Sequence, residues 1–518
     1  MWHGIAQAVP DRDALISGDR RVSWGEFDDR AARLASHFWA QGLRPGDKVA
    51  IACTNRPEYL EAFFAALKMG CAPVNVNYRY VVDEVRYVLD NSDAKAIVHD
   101  PDFGTTVQSA IAELPEDRRP VRLETGTPYE DVIAVASPEG EWQAREPDGD
   151  DLVFLYTGGT TGMPKGVMWR NDDLYHANWA MARPGTTPPD PIAAAVAGKR
   201  TGTCLPACPL MHGTGMNIAL STLAGAATVV LVDRIGLDPE LLWNEIERND
   251  VAVLTIVGDP FARPLLGALD NEPKRWDLSC LRVITSSGAT WSPEAKSGLL
   301  RHLPTVRLID ALGASEGLMT RNESTASSAI AAASFAVNER VKVLDEQTGV
   351  EVGPGSGDVG LLGVTGPIPL GYYKDQVKTD ATFRVVNGVR YSIPGDYATV
   401  EHDGTIRLLG RGSACINTGG EKVYPEEVEG VLREHPDVFD CVIVGVADER
   451  FGEMVVALVQ LAPGTPLDDV AIAEWSRDRI AGYKRPKRWF VVESLERNAA
   501  GKANYPKLRA LAADLVTP

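Results

Sequence analysis

Two early stretches, Trp24 to Ala40 and Arg56 to Met69, carry apolar residues every three to four positions, which predicts amphipathic helices. Short β-branched runs, Lys48 to Ala52 and Ala94 to Val98, alternate with them. The same rhythm continues through Leu152 to Leu155, Thr228 to Val232, Val251 to Val257, Leu281 to Ser286 and Val306 to Leu308. Continuous apolar runs of this length fit strands covered on both faces, so the predicted class is α/β, a large N-terminal part of helix-covered, mostly parallel sheets. From about Val341 the texture shifts to short strands and Gly-Pro turns, as in Glu351-Val-Gly-Pro-Gly-Ser-Gly, which predicts a small antiparallel unit. After Gly410-Arg411-Gly412-Ser413 come about a hundred residues with a proline-marked helix start at Pro425-Glu426-Glu427 and a strand at Val442 to Val446. That length suits a separate α+β domain, so the predicted division is 1–411 and 412–518. No internal repeat is visible, and Ser324 to Ala333, the one low-complexity patch, reads as a loop.

Composition narrows the picture. A chain of 518 residues, 44% of them hydrophobic, is long enough for about two to four packed units and points to a multidomain enzyme. A net charge of −19 argues against a broad nucleic-acid footprint, although Tyr483-Lys484-Arg485-Pro486-Lys487-Arg488 is locally basic. Seven cysteines without a repeated pair spacing fit a reducing compartment, with Cys204 and Cys208 read as packing residues. The N-terminal stretch has Asp11, Arg12 and Asp13 where a secretory apolar core would sit, and Ile218 to Val232 is too short and interrupted to span a bilayer. A cytoplasmic protein without a transmembrane segment is the expectation.

The chemistry begins at Tyr156-Thr-Gly-Gly-Thr-Thr-Gly-Met-Pro-Lys-Gly-Val167, directly after an apolar run. Gly158, Gly159 and Gly162 let the backbone approach an anion, Thr157, Thr160 and Thr161 bring hydroxyl donors, and Lys165 brings a positive charge. A flexible surface loop has similar composition, but the ordered pattern favours a triphosphate. It is no Walker loop: Pro164 precedes the lysine, Gly166 follows it, and no hydroxyl residue is placed to hold magnesium. The run resembles the signature loop of the adenylate-forming (AMP-binding) superfamily, with Gly158 in place of the usual serine.

Joining a carboxylate to ATP brings two anions together, so positioning and charge must carry the catalysis. Asp310-Ala311-Leu312-Gly313-Ala314-Ser315-Glu316 follows an apolar segment, placing Ser315 and Glu316 beyond a strand's carboxyl end, where open α/β sheets bind ligands. Glu316 suits a magnesium ion bridging phosphates, and Ser315 suits the α-phosphate. The segment resembles the superfamily's aromatic-Gly-x-Thr-Glu motif, with Leu312 where an aromatic covers adenine. Upstream, Thr285-Ser286-Ser287-Gly288-Ala289 resembles the lining of the nucleotide pocket and equally fits a tight turn. The resemblance implies that Asp396, in Pro394-Gly395-Asp396, and Arg411 hold the ribose. It places the hinge at Ser413, where Asp or Lys is usual, and coenzyme A against Gly419, Gly420 and Glu421, with Lys422 toward the phosphates. A plain strand-turn-helix is compatible with the same residues. In Arg497-Asn-Ala-Ala-Gly-Lys502 the resemblance makes Lys502 the lysine bridging carboxylate and α-phosphate. Lys484 supports the final domain or contacts a CoA phosphate.

The resemblance extends from Trp24-Gly-Glu-Phe to the lysine loop, with five motifs in the family's order. The wording of Ile368-Pro-Leu-Gly-Tyr-Tyr-Lys-Asp375 and of Cys415-Ile-Asn-Thr-Gly-Gly-Glu-Lys-Val-Tyr-Pro-Glu-Glu-Val-Glu429 is similar to actinobacterial fatty-acid and steroid side-chain acyl-CoA synthetases. It implies a large adenylation domain and a mobile C-terminal domain. The implied chemistry is acyl-AMP formation from a carboxylic acid with ATP and Mg2+, then thioester formation with coenzyme A after domain rotation. Two alternatives remain, a ligase loading a carrier protein and a non-catalytic nucleotide-binding protein; a homodimer is a further expectation. Pro209-Leu-Met211-His212-Gly-Thr-Gly-Met216 resembles the border of the acyl channel. With Ala314 beside the small Ala311 and Gly313, it suggests a roomy apolar pocket for a long or polycyclic acid. Core packing explains Met211 and Met216 as well, and a structural role explains His212.

Overall fold

The helix Trp24–Ala40 coincides with the span its periodicity predicts. Ser23 caps it by accepting a hydrogen bond from the Glu26 N–H at 3.1 Å, and Trp24, Phe27, Ala31, Leu34, Ala35 and Phe38 form its buried stripe. It packs on the helix Pro57–Lys68, whose first residue is a proline that needs no N–H partner there. The structure, a computed structural model, describes all residues except 158–162, 199–201, 290, 329–333, 412–413, 419–420, 449–451, 463, 467, 478, 481, 498–500, 502 and 517–518. The side chains of Arg411, Asn417, Glu421 and Lys422 are likewise not described.

Among the described residues the strands form four sheets. Two are the predicted helix-covered sheets. An eight-stranded one has a parallel centre that includes Val251–Ile256, Val283–Ser287 and Arg307–Ala314. A seven-stranded one runs parallel through Leu152–Thr157, Ala72–Asn75, Lys48–Ala52, Ala94–His99 and Val121–Glu124. Both close with antiparallel strands at an edge. Their interiors are the expected apolar runs, with Val49, Ala50, Val153, Leu254 and Ile284 fully buried. The texture change near Val341 marks a third, antiparallel sheet of seven strands ending in Thr405–Arg411. The fourth sheet begins at Ile416–Thr418 and is built on the long antiparallel pair Val438–Asp448 and Gly452–Leu461. The helices Pro425–Arg433 and Tyr505–Val516 pack on that pair.

One element is longer than its sequence suggests. Val306 to Leu308 is the beginning of a strand that continues to Ala314 and returns as Gly317–Ser324. Residues 310–314 lack the alternation of a half-buried strand, so their conformation comes from their neighbours. Ser286 and Ser287 pair with Asp310 and Ala311 on one side, and Asn322, Arg321 and Thr320 pair with Asp310, Ala311 and Leu312 on the other. Cys204 and Cys208 are buried free thiols, in keeping with a packing role. Among the described residues no helix is long and apolar enough to cross a membrane.

Candidate active site

Thr157 and Lys165 face each other across the antiparallel ladder of Leu152–Thr157 and Lys165–Arg170. The glycine-rich run therefore spans the two strands of a hairpin and does not lead into a helix, which separates it from a Walker loop by topology as well as by wording. Gly158, Gly159, Thr160, Thr161 and Gly162 lie outside the described residues. Close backbone approach is visible at Gly166: a methyl group there would lie 2.6 Å from the Tyr156 ring. Tyr156 is anchored in turn, its N–H donating to Asn75 Oδ1 at 2.6 Å while Asn75 Nδ2 donates to its carbonyl at 2.9 Å.

Lys165 Nζ sits 2.8 Å from Asp375 Oδ2 and 5.7 Å from the centre of the Tyr372 ring. About a third of each charged side chain is exposed, so the pair contributes only about 1 kcal/mol or less, and a phosphate competes for the lysine at little cost. Its hydrogen bond to Lys165 holds the Asp375 carboxyl below its usual range. The neighbouring Tyr372 hydroxyl donates to Glu316 Oε1 at 2.6 Å. Strand pairing sets this up, because Gly371–Tyr372 adds to the sheet opposite Met168 and Val167. Tyr372 and Asp375 belong to the Leu-Gly-Tyr-Tyr-Lys-Asp wording, so a signal was present in the sequence, but nothing local assigned either residue a partner.

Glu316 and Ser315 lie at the turn between Arg307–Ala314 and Gly317–Ser324, beyond a strand's carboxyl end as expected. Asp310 to Glu316 are all partly exposed, following the buried Leu308 and Ile309 of the same strand. Trp169 Nε1 donates to the Ser315 carbonyl at 2.9 Å, tying the turn to the phosphate hairpin. Asp310 ion-pairs with Lys296, a fully buried lysine on the helix Pro293–His302. Burial raises the Asp310 carboxyl above its usual range despite the opposing charge of Lys296. Leu312 is partly buried and packs against the core.

Ser287 ends the strand Val283–Ser287, and Gly288 follows with φ +90°. A methyl group on Gly288 would lie 3.7 Å from Val257 Cγ1 and 3.8 Å from Thr214 Oγ1, so this turn meets the start of the helix Gly213–Ala224. His212, half-buried, precedes that helix. Met211 and Met216 are each 1% exposed and belong to the core; Met211 Sδ accepts from the Tyr78 N–H at 3.3 Å. Ala314 faces Gly317 across the hairpin.

Asp396 and Arg411 are opposite one another in the ladder of Asp396–Val400 and Thr405–Arg411, which brings the two predicted ribose residues together. Glu421 and Lys422 pair with Thr418 and Asn417. Gly419, Gly420, the hinge residue Ser413 and Lys502 lie outside the described residues. The neighbour of Lys502 is informative. Gly501 is buried with φ +68°, and a methyl group there would lie 3.2 Å from Ala289 Cβ and Pro260 Cγ and 3.3 Å from Val257 Cγ1. The end of the chain is thus packed against the segment predicted to line the nucleotide pocket.

Arg497, which sequence reasoning passed over, holds that contact. It donates to the Gly501 carbonyl at 3.1 Å and to both oxygens of Asp440 at 2.5 and 2.9 Å. Arg433 donates to the same carboxylate at 3.0 Å and to Glu429 at 2.8 Å, and the Tyr505 hydroxyl completes the group on Glu429 at 2.9 Å. Burial acts to raise the Asp440 carboxyl, but the bonds and charges of Arg497 and Arg433 win and hold it below its usual range. Lys484 donates to both oxygens of Glu427 at 2.7 and 2.8 Å, which is the supporting role expected of it.

Residues 3–373 match the AMP-binding enzyme family and residues 427–502 match the AMP-binding enzyme C-terminal domain. Among curated proteins, the chain is 40% identical to a 3-oxocholest-4-en-26-oate–CoA ligase of Rhodococcus rhodochrous, covering 96% of this chain and 92% of that protein. It is also 40% identical to a medium/long-chain-fatty-acid–CoA/3-oxocholest-4-en-26-oate–CoA ligase of Mycobacterium marinum, covering 97% and 94%. A feruloyl-CoA synthase of an Amycolatopsis species is 31% identical over 96% of this chain and 95% of its own length. The fold is similar to that of an anthranilate CoA ligase solved with anthranoyl-AMP, with a TM-score of 0.84 at 22% identity, covering 100% and 98%. ATP-bound MatB from Rhodopseudomonas palustris gives 0.82 at 24% identity over 99% of both chains. The chain belongs to the AMP-binding enzyme family, among its acyl-CoA ligases.

Proposed function

We propose that this enzyme activates a long apolar carboxylic acid, fatty or steroid side-chain, with ATP and transfers it to coenzyme A. The observation that carries this reading is the packing of Gly501 on Ala289, which brings the position before Lys502 to the predicted nucleotide segment. The acid class rests on the two relatives at 40% identity.

In the first half-reaction the carboxylate oxygen attacks the α-phosphorus and pyrophosphate leaves. Lys165 gives up Asp375 for a phosphate, as the weakness of that pair allows, and Asp396 and Arg411 hold the ribose. Lys502 lies between carboxylate and α-phosphate, lowering the repulsion between two anions. Glu316, oriented by Tyr372, fits a magnesium ion. One protein carboxylate with phosphate oxygens and water is the donor set this cation favours, and there it would neutralise developing charge on the phosphates. In the second half-reaction the CoA sulfur attacks the acyl carbonyl, the thiol proton is lost and AMP leaves. We assign residues 1–411 to the adenylation domain and 412–518 to a domain that turns about Ser413, withdrawing Lys502 and presenting Gly419, Gly420 and Glu421, with Lys422 toward the phosphates.

The test is mass-spectrometric detection of acyl-AMP and acyl-CoA from ATP, magnesium, CoA and a panel of fatty, aryl and steroid acids. Lys502→Ala is expected to slow adenylation by on the order of 10²-fold or more while still converting supplied acyl-AMP to thioester. Acyl-AMP accumulating without thioester would replace this reading with carrier-protein loading, and neither product from any acid would overturn it.

A further inference from the structure

The segment 206–211 leads from the strand Thr203–Pro206 of the eight-stranded sheet to the helix Gly213–Ala224, and two asparagines of the other large sheet hold it. Asn55 follows the strand Lys48–Ala52, and Asn75 ends the neighbouring parallel strand Ala72–Asn75. Both are buried. Asn55 Nδ2 donates to the carbonyls of Pro206 and Cys208 at 3.1 and 3.0 Å, and its Oδ1 accepts from the Leu210 N–H at 2.7 Å. Asn75 reaches further. Its Nδ2 donates to the Met211 carbonyl at 2.6 Å and to the Tyr156 carbonyl at 2.9 Å, while its Oδ1 accepts from the Tyr156 N–H at 2.6 Å. Both donors of the amide are thereby committed, one to each of two separate chain segments.

Those segments belong to different parts of the candidate site. Tyr156 stands immediately before Thr157 and the glycine-rich run, and Met211 immediately before His212 at the predicted acyl border. Whatever shifts Met211 shifts the border with it, because the segment is wound tightly onto the start of the helix. A methyl group on Gly215 would lie 2.4 Å from the Pro209 carbonyl oxygen and 2.9 Å from that of Cys208. The helix start also abuts the phosphate hairpin, since a methyl group on Gly213 would lie 3.4 Å from Leu155 Cδ2. Asn55 shows that the polar groups of this segment can find partners without any link to the hairpin. The link is particular to Asn75.

We propose that Asn75 is a positioning residue for adenylation. It fixes the span between the phosphate hairpin and the acyl border, and with it the approach of the carboxylate oxygen to the α-phosphorus. This deepens the proposed function and rests on it. Reacting atoms must be held about 3–3.5 Å apart, and a misplacement of about 1 Å costs on the order of 10²-fold in rate. In acyl-AMP the same two atoms are already bonded, so thioester formation does not depend on the span.

Asn75→Ala, Asn75→Ser and Asn55→Ala are compared with the wild type in separate half-reactions, with urea midpoints recorded for each. The first is pyrophosphate release from MgATP with palmitate or 3-oxocholest-4-en-26-oate, whichever the wild type activates; the second is thioester formation from the matching acyl-AMP and CoA. Asn75→Ala is expected to lower kcat for adenylation by about thirtyfold. KM for ATP and for the acid, and the rate of the thioester step, are expected to stay within about threefold. Asn75→Ser leaves room for a water between the two carbonyls, which satisfies them without fixing their spacing. It is expected to show the same uneven loss, and it decides the matter if the alanine variant does not fold. Asn55→Ala loosens the same segment without releasing the hairpin, so its loss should fall equally on both half-reactions. Equal loss in both half-reactions for the Asn75 variants would mean that the residue only stabilises the fold, and overturns the proposal. So does wild-type adenylation in either Asn75 variant, or the same uneven loss in Asn55→Ala. A wild type that forms no acyl-AMP from any acid overturns the ligase reading and this inference with it, so the two failures are distinguishable.

Discussion

The Tyr372 hydroxyl donates a hydrogen bond to Glu316 Oε1 at 2.6 Å and so holds one oxygen of the carboxylate in place. A hydrogen bond to a charged group contributes about 1.5–3 kcal/mol, so Tyr372→Phe should lower kcat/KM for MgATP by about tenfold or more, read from pyrophosphate release across a magnesium titration. Arg497 acts one step further from the chemistry. Arg497→Lys retains the charge but loses the planar fork that serves Asp440 and the Gly501 carbonyl together. Adenylation is expected to fall about tenfold while thioester formation from supplied acyl-AMP stays within about twofold. Equal loss in both half-reactions would mean that Arg497 merely stabilises the domain. Glu316 and Lys502 could be singled out from motif wording; Tyr372 and Arg497 could not. Their partners lie 56 and four residues away, and only the folded chain decides which of many polar neighbours is met.

Among the elements, those with a strong period were readable in advance. The helix Trp24–Ala40 and the strand Lys48–Ala52 have their predicted ends, because each carries its own apolar pattern and turn signals. The strand Arg307–Ala314 was readable only to Leu308, since Ala311, Gly313 and Ala314 have no pattern of their own and are strand through pairing on both sides. The loop holding Gly501 is similar in kind. Its φ of +68° and the 3.2 Å approach to Ala289 and Pro260 require glycine. Gly501→Val should therefore slow adenylation by about tenfold or more, with the thioester half-reaction from supplied acyl-AMP largely kept.

At the scale of the whole molecule, the contacts across the predicted domain boundary are of two kinds: Gly501 packs on Ala289, Pro260 and Val257, and polar or edge-like contacts lie around Glu427 and Phe439. Glu427 bridges Arg407 at 3.0 Å to Lys484, and Arg263 lies 5.6 Å from the Phe439 ring. Polar and cation–π contacts of this kind are each worth about 1 kcal/mol. Within the final domain the position is reversed. Asp440 is held below its ordinary value of 3.8, so its stabilisation is fully present above about pH 4 and is lost as the pH falls through the folded value. Asp440→Asn should cost about 3 kcal/mol at pH 7, and its urea midpoint should converge on that of the wild type as the pH is lowered past that window. A constant difference down to pH 3 would show that charge is not the cause.

Composition and spacing sufficed for what depends on local order. Sheet and helix periods and the motif wording that marks the family reside in runs of a few to twenty residues. Tertiary structure alone decided the rest: the packing of Gly501 on Ala289 and the hydrogen bond from Tyr372 to Glu316. These depend on side chains brought together by the sheets from distant parts of the chain. The identity of such partners is set by how the layers stack, because a single sequence records the residue types available for contact but not which of them the closed fold brings within hydrogen-bonding distance.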